Sequence, residues 1–393
     1  MPEMNSKYPG PGPLNRRQFL RNTLLGMAAL SFPTGYAVAG SASPGKRKIV
    51  WVLLRGALDS LHTVIPTQDP HYQQLRPTLS QSFNQPLLPL NKAFSLHPAL
   101  KNLYQMYQDK ALLPVVAVGS GYPSRSHFDG QDYLESGLPK TDEDSGWLGR
   151  AVAARQASAL AVSRAKPMSL RSASQVNSWY PSGLDNAEQD FYERLSALYE
   201  GNPAMHEALE KGMQVRGLVS SEEAPKRRGR FEDLAGACAR LMLEDPKLDC
   251  AMLEVGGWDT HNQQANRLNR GLSELDQGLL ALQKGLGKEW QNTVIIVATE
   301  FGRTAKENGT QGTDHGTASA LLLAGGAVRG GQVLGQWPGL APEQLYEQRD
   351  LMPTSNSFDW IATVLHQHWQ LAQPELRNVF PQAKVLPQSL IAS

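Results

Sequence analysis

Short apolar segments alternate with polar motifs between residues 250 and 324, and this pattern constrains the fold more than any other part of the chain. Residues 250–255 (CAMLEV) and 293–299 (TVIIVAT) are short and rich in residues that favour strands, and residues 318–324 (ASALLLA) predict a third strand. A β-branched run such as TVIIVAT is typical of a parallel strand that is covered on both faces. Between the first two segments, leucines recur at helical spacing and predict a crossover helix packed on the sheet: Leu268, Leu272, Leu275, Leu279, Leu282 and Leu286.

Two further apolar segments extend the predicted sheet into the first half of the chain. They are Lys48–Leu54 (KIVWVLL) and residues 112–118 (LLPVVAV). Segments that predict helices lie at residues 99–108, 129–137, 187–199, 204–215, 230–243 and 357–369. The alternation predicts an α/β fold with a doubly wound, mainly parallel central sheet and helices on both faces. Residues 140–248 contain few strand signals, and we expect them to form a mostly helical side region, an insert or lid over the sheet.

Three polar motifs adjoin the predicted strands in the second half of the chain. GGWDTH (256–261) follows the first strand, TEFGRT (299–304) overlaps the end of the second, and GTDHG (312–316) precedes the third. In an open α/β sheet, ligands bind in the crevice beyond the carboxyl ends of the strands. Carboxylates and imidazoles in such a place are typical ligands of divalent metals. The motifs therefore predict a metal-dependent hydrolase site, intact or decayed, with these candidate metal ligands: Asp259, His261, Glu300, Asp314 and His315.

Two positions in the first half of the chain are further candidates. Asp59 follows the first strand, where a carboxylate either binds a metal ion or caps the next helix. Ser126 and His127 open a predicted helix after a glycine-containing turn. A hydroxyl there meets free N–H groups and the positive end of the helix dipole, so Ser126 is either a nucleophile or the N-cap. Position alone favours the cap for Ser126 and leaves both roles open for Asp59.

Composition and charge narrow the class of protein. The 393 residues suffice for one large α/β domain or two smaller ones, and 38 basic against 37 acidic residues give a formal net charge of +1. Residues 1–42 contain four of the bases and one of the acids, which leaves 34 bases and 36 acids, a net charge of −2. Nucleic acid is therefore not expected as a partner. Cys238 and Cys250 match no zinc motif, and we expect buried free thiols rather than a disulfide.

Residues 1–42 have the features of a signal peptide. The sequence NRRQFLR (15–21) resembles the twin-arginine export signal, a moderately apolar segment follows at 22–36, and Ala37-Val38-Ala39 supplies small residues for cleavage. The apolar segment is too short to span a bilayer stably. We therefore expect the twin-arginine machinery to export a folded protein to the periplasm, with residues 43–393 forming the mature domain.

Several motifs together resemble a known family. The mature chain is similar to the bacterial proteins grouped as domain of unknown function 1501, exported proteins of the alkaline phosphatase-like superfamily, which includes the sulfatases. The matching sequences are LLRGALDSL (53–61), SLHPAL (95–100), RSHFDGQDYLESG (125–137), GGWDTH, TEFGRT, GTDHGTAS (312–319) and VFP (379–381). The resemblance implies an alkaline phosphatase-like α/β domain.

In that superfamily two metals are held by Asp and His residues around a Ser or Thr nucleophile. The resemblance gives Ser126 the nucleophile position and implies metal-ligand positions for Asp59, Asp259, His261, Glu300 and His315. This chain departs from the pattern, because only Thr260 separates Asp259 from His261 where the superfamily has three residues. Glu300-Phe301-Gly302 also replaces an Asp-His-Gly motif, which removes one imidazole. These departures imply one metal ion or none rather than two.

The resulting hypothesis is an exported metal-dependent hydrolase of a phosphate or sulfate ester, acting through Ser126 or a metal-bound water. The substrate would be a small-molecule or glycan ester, and the cofactor a divalent ion (Zn, Mn, Mg or Ca). We expect Arg303 or Arg125 to clamp the ester oxygens, and His127 to transfer a proton or merely to pack. The alternative is a non-catalytic periplasmic binding or assembly protein on a decayed phosphatase-like scaffold, with a protein partner and no metal. A third interpretation makes these polar residues hydrogen-bonded caps of strands and helices.

Overall fold

A mixed β-sheet with helices on both faces organises the structure. The computed structural model describes residues 47–181, 189–199, 201–218 and 229–392. The strands are β1 (Lys48–Leu54), β2 (Val64–Ile65), β3 (Leu88–Pro89), β4 (Ser95–Leu96), β5 (Leu112–Gly119), β6 (Ser158–Ala161), β7 (Val176–Ser178), β8 (Leu248–Val255), β9 (Thr293–Thr299), β10 (Ser319–Ala324) and β11 (Ser355–Asn356). The α-helices are α1 (Tyr72–Leu75), α2 (Lys101–Gln108), α3 (His127–Ser136), α4 (Trp147–Arg155), α5 (Gln189–Tyr199), α6 (Pro203–Leu218), α7 (Phe231–Glu244), α8 (Gln264–Leu286), α9 (Ser357–Trp369) and α10 (Gln373–Val379).

The direction of the strands decides which loops meet. The central sheet has the order β11-β5-β10-β9-β1-β8-β6-β7, and β2, β4 and β3 form a small separate sheet. Every neighbouring pair in the central sheet is parallel except those made by β10, which is antiparallel to both β5 and β9. The carboxyl ends of β1, β5, β8 and β9 therefore lie at the same edge as the amino end of β10. The loops at this edge contain all the candidate residues.

The core lies on both faces of the central sheet. All seven residues of β1 are buried. Because side chains alternate along a strand, Val50 and Val52 contribute to one hydrophobic cluster with α2, α7 and α8, whereas Ile49 and Trp51 contribute to another with α4, α9 and α10. Burial on both faces explains why β1 is a continuous apolar run. The predicted α/β class, with a mainly parallel sheet and helices on both faces, is confirmed.

Most predicted elements are present, with differences at their ends. The leucine-rich segment is α8, and the six leucines at the predicted spacing are all buried. The last predicted strand is β10, which runs against its neighbours. Residues 140–248, expected to be mostly helical, also contribute β6 and β7 to the central sheet. Cys238 and Cys250 are buried free thiols, as expected.

The predicted signal peptide, residues 1–42, and residues 43–46 of the predicted mature domain lie outside the described residues, as do the first two residues of the helix predicted at 187–199. Among the helices that the structure does describe, none combines the length and the apolar character needed to cross a membrane.

Candidate metal centre

Three histidines and one aspartate lie together at the sheet edge. His127 is the first residue of α3, which follows β5. Asp259 and His261 lie between β8 and α8, and His315 lies between β9 and β10. One ligand atom from each of His127, Asp259 and His315 lies within 4.8 Å of the other two. His261 contacts Asp259 and His315 but is not part of this converging group. The antiparallel course of β10 is what brings His315 to the same edge as the other residues.

The inward-facing atoms of this cluster are the imidazole Nε2 nitrogens and the Asp259 carboxylate oxygens. Nε2 of His315 lies 2.9 Å from Nε2 of both His127 and His261. Asp259 Oδ1 lies 3.0 Å from Nε2 of His261 and 3.3 Å from Nε2 of His315, and its Oδ2 lies 3.5 Å from Nε2 of His127. Ligands at zinc–nitrogen distances of about 2.0–2.1 Å in a tetrahedron are about 3.3 Å apart. The spacing in the cluster is close to that value.

Hydrogen bonds on the outer side of each imidazole fix its tautomer. Nδ1 of His315 lies 2.9 Å from the carbonyl oxygen of Arg125, Nδ1 of His127 lies 2.7 Å from Glu300 Oε1, and Nδ1 of His261 lies 3.1 Å from Asp314 Oδ1. A carbonyl or ionised carboxylate oxygen only accepts, so each Nδ1 carries the proton. In a neutral imidazole the Nε2 lone pair then points into the cluster. Three converging lone pairs repel unless a proton or cation lies between them, and a metal held by imidazoles with this outer support is a common arrangement.

Glu300 supports the cluster from behind. Its Oε1 accepts hydrogen bonds from His127 Nδ1, from the Gly56 N–H at 2.8 Å and from Gln131 Nε2 at 2.9 Å. Its Oε2 accepts from the Thr299 hydroxyl at 2.8 Å. Burial opposes ionisation of Glu300, but the hydrogen bonds, first that of His127, hold its pKa below the ordinary value. Glu300 therefore orients His127, instead of taking the ligand position predicted for it.

Asp314 has the corresponding position behind His261. Its Oδ1 accepts from His261 Nδ1 and, at 3.1 Å, from Asn308 Nδ2. Burial opposes its ionisation, yet the hydrogen bonds from Asn308 and His261 lower its pKa. Asp314, like Glu300, holds an imidazole in the observed structure, where the sequence predicts a metal ligand.

The pKa shifts of His127 and His315 have opposite directions. The hydrogen bond to Glu300 raises the pKa of His127 against the effect of burial. Burial lowers the pKa of His315, and the neighbouring charges of His127 and Arg303 lower it further. His315 is thus a neutral imidazole near pH 7, and its Nε2 is available as an acceptor or metal ligand.

Asp59 forms a buried ion pair instead of joining the histidine cluster. Its carboxylate is paired with the Arg76 guanidinium, with 2.6 Å between Oδ2 and Nη1, and also accepts a hydrogen bond from Gln264. The side chains of Asp59 and Arg76 are 1% and 0% exposed. Among the described residues, the group whose ligand atoms converge does not include Asp59. The carboxylate expected to bind a metal is instead neutralised by an arginine.

The predicted arginine clamps are also engaged with carboxylates. Nη1 of the buried Arg303 lies 2.6 Å from Asp259 Oδ1, and its Nε donates to the Thr313 hydroxyl. Burial opposes ionisation of Asp259, but Arg303 outweighs this and lowers its pKa. Arg125 donates from Nε and Nη2 to the buried carboxylate of Asp350. Both guanidinium groups therefore position parts of the site.

Ser126 occupies the N-cap position of α3 with an extended backbone, but its side chain makes no capping hydrogen bond. The predicted position is confirmed, whereas the expected capping bond is absent from this helix end. The hydroxyl lies one residue from the cluster histidine His127.

A close backbone approach brings the last two motifs together. A Cβ added at Gly302 would lie 1.7 Å from the carbonyl oxygen of Ala318, so a larger residue does not fit without movement of the backbone. The Gly302 N–H donates to Thr317 O at 3.0 Å, and its carbonyl accepts from the Gly316 N–H at 2.8 Å. This pairing fixes His315 relative to the residues that follow β9.

Gln131, which helps to hold Glu300 in place, was not predicted from the sequence. Gln131 lies four residues after His127, on the same face of α3, and it links Glu300 to Arg55, whose Nη1 donates to Gln131 Oε1 at 2.7 Å. The i, i+4 spacing from His127 was the available signal. His127 was predicted as a proton carrier or packing residue, although its Nε2 converges with the other ligand atoms.

Comparison with known proteins identifies a family. The family model described as "Protein of unknown function (DUF1501)" matches residues 120–380, which is more than half of the chain. No curated protein matches the chain.

Several solved structures show distant similarity. The match to Ps i-CgsB spans 86% of this chain and 75% of the Ps i-CgsB chain, at 11% identity and with a TM-score of 0.42. A TAB5 alkaline phosphatase variant with bound Mg, from an Antarctic bacterium, covers 87% and 99% at 10% identity, with a TM-score of 0.39. The phosphonate monoester hydrolase of Agrobacterium radiobacter covers 82% and 74% at 10% identity, with a TM-score of 0.38. We base no functional assignment on similarities of this size.

Proposed function

We propose that this chain, which belongs to the DUF1501 family, is an exported metal-dependent hydrolase that cleaves a phosphate or sulfate ester. The observation that carries the proposal is the convergence of ligand atoms from His127, His315 and Asp259, with each of the two imidazoles held at its Nδ1 by an acceptor. Imidazole ligands suit zinc better than Mg²⁺ or Ca²⁺, which prefer oxygen ligands. We therefore propose zinc, with Mn²⁺ second.

The proposed ligands are His127, His315 and Asp259, which leave a fourth position for water or substrate, with His261 beside the centre. A divalent ion bound there would lower the pKa of a bound water and polarise the ester. The side chains of His261 and Asp259 are each 42% exposed, so one side of the centre is open to solvent. Structural zinc sites are closed, whereas catalytic sites keep a position for water or substrate. The openness of the centre supports a catalytic role.

The attacking group is either that water or the Ser126 hydroxyl. Ser126 makes no capping bond and directly precedes a proposed ligand. The backbone N–H groups of the first turn of α3 and the positive end of its dipole favour an anionic ester beside it. These features support a phosphate or sulfate as the reacting group.

The second candidate is a binding or assembly protein on a decayed hydrolase scaffold. One observation favours it: Arg303 and Arg125, the two expected ester clamps, are paired with Asp259 and Asp350. In this alternative the centre binds a ligand or protein partner without turnover.

Residues 1–42 support the export part of the proposal, because NRRQFLR resembles a twin-arginine signal. That route carries folded proteins, which suits a chain that takes up its metal in the cytoplasm. We accordingly propose a periplasmic location.

Hydrolysis of 4-nitrophenyl phosphate and 4-nitrophenyl sulfate by protein purified from the periplasmic fraction tests the proposal. We expect turnover with zinc or manganese, and a loss of at least about 100-fold in H315A, because a metal ligand is removed. H206A is the matched control, since its imidazole pairs with Glu210 on α6 and activity should be unchanged. S126A distinguishes the two nucleophiles, because only a serine mechanism loses all turnover. Stoichiometric metal without hydrolysis of either ester would contradict the enzyme and favour the binding protein.

A further inference from the structure

A cleft outside the metal centre is lined mainly by polar side chains. It has a volume of about 490 Å³ and lies between residues 82–85, residues 97–102 and one side of α8. None of the residues that line it is a proposed metal ligand. We propose that this cleft, called the amide cleft below, binds a neutral, polyhydroxylated ligand such as an oligosaccharide. The inference goes beyond the proposed hydrolysis and does not depend on it.

The cleft side of α8 is mainly polar, and Asp276 is its one ionisable residue. Four residues at helical spacing contribute to the lining: Asn266, Asn269, Ser273 and Gln277. At a rise of about 1.5 Å per residue this stripe is about 16 Å long. Of the charged residues in this part of the helix, Asp276 lines the cleft, and three lie outside the lining: Arg267, Arg270 and Glu274.

The opposite wall adds further amides and an aromatic ring. Asn84, Gln85 and Asn102 line it together with Phe83. The Phe83 ring is held by stacking on His62, with 4.5 Å between ring centroids and an interplanar angle of 18°. An aromatic ring supplies an apolar surface of fixed orientation, which can pack against the C–H face of a sugar ring.

The titratable groups of the cleft offer little charge to a ligand. Asp276 is buried and accepts hydrogen bonds from the Asn102 side chain at 2.6 Å, the Asn102 N–H at 3.2 Å and the Leu103 N–H at 2.9 Å. Burial lowers the pKa of His97 to about 4, so it is neutral near pH 7. Lys101 is exposed and is the only cation in the lining.

These side chains select the class of ligand. A carboxamide both donates and accepts hydrogen bonds, and so does a hydroxyl group. An apolar ligand would bury the amides without hydrogen-bond partners, which is unfavourable. A polyanion would have only the Lys101 ammonium group to pair with, so its charge would be largely uncompensated. A chain of neutral sugar rings satisfies the amides with hydroxyls and presents C–H faces to Phe83.

Titration calorimetry of the mature protein with maltotetraose, cellotetraose and tetra-N-acetylchitotetraose tests the proposal. We expect at least one of these to bind, and both N269L and F83L to weaken that binding at least tenfold. R270A is the matched control, because Arg270 is an exposed residue of the same helix outside the lining, and its binding should equal that of the wild type. Thermal melts check that each variant is folded.

Absence of binding for all three sugars would overturn the inference. So would binding that N269L and F83L leave unchanged, since the sugar would then lie elsewhere. Preferential binding of an extended neutral peptide, acetyl-(Gly-Ser)4-amide, would show that the cleft takes polypeptide instead. Because H315A retains every residue of the amide cleft, sugar binding by this variant separates the inference from the proposed hydrolysis.

Discussion

Arg76 determines the role of Asp59, because it pairs with a carboxylate that could otherwise bind a metal ion. Arg76 donates to Asp59 and also to the carbonyl oxygens of Thr304 and Ala305, so it joins the loop after β1 to the loop after β9. Burial opposes ionisation of Asp59, but the Arg76 charge outweighs it and holds the pKa below the ordinary 3.8. Because the folded-state pKa is depressed, the carboxylate contributes stability above about pH 4, and this is lost as pH falls through the lowered pKa.

Asp59→Asn should therefore destabilise the protein at pH 7 by about 3–5 kcal/mol, because a buried guanidinium is left without its partner. Urea denaturation of the wild type and the variant measures this difference. The difference should begin to shrink below about pH 4, where Asp59 of the unfolded wild type takes up a proton, and should vanish as pH falls through the lowered pKa of the folded state. Asp109→Asn, on an exposed residue, is the control and should have little effect. Equal stability of D59N and wild type at pH 7 would contradict this account of the ion pair.

At the scale of secondary-structure elements, the contact between α7 and α8 depends on glycine. A Cβ added at Gly278 of α8 would lie 2.1 Å from Cδ1 of Phe231, a ring that is 2% exposed. A Cβ added at Gly236 of α7 would have no neighbouring atom within 4 Å. Substituting alanine at the crowded Gly278 and at the open Gly236 therefore distinguishes the effect of packing from that of helix propensity.

Gly278→Ala should lower the free energy of unfolding by about 1–3 kcal/mol, because the Phe231 ring has to move in a packed core. Gly236→Ala is the matched control and should raise it by about 0.5–1 kcal/mol, since alanine favours the helix. Thermal and urea denaturation of both variants provide the comparison. Equal stabilisation by the two substitutions would mean that α7 and α8 pack less closely than the structure shows.

The elements that the sequence predicts best are the strands that are buried along their whole length. β1 and β9 have the predicted bounds because each is buried on both faces and is therefore apolar throughout. β6 and β7 were missed, since SALA and VNS are short segments of small or polar residues that carry no strand pattern. The direction of β10 has no signature either, because ASALLLA would be equally apolar in a parallel strand.

At the scale of the whole molecule, the sequence predicts where the site lies better than it predicts the role of each side chain. Motifs at strand ends meet at one edge because the sheet is mainly parallel, and Asp259, His261 and His315 are brought together there. Whether a carboxylate faces the centre or the back of an imidazole depends on how each loop turns after its strand. For that reason the carboxylates of Glu300 and Asp314 have a supporting role that the motifs do not distinguish from metal ligation.

Metal content is the most direct test of the central claim, that His127, His315 and Asp259 hold one divalent ion. Elemental analysis after dialysis against zinc and removal of free metal should find about one ion per chain in the wild type. H127A and H315A should each lose most of it, whereas D59N should retain it. A wild-type protein that binds no zinc or manganese, or metal that is lost in D59N but kept in H127A, would contradict the account.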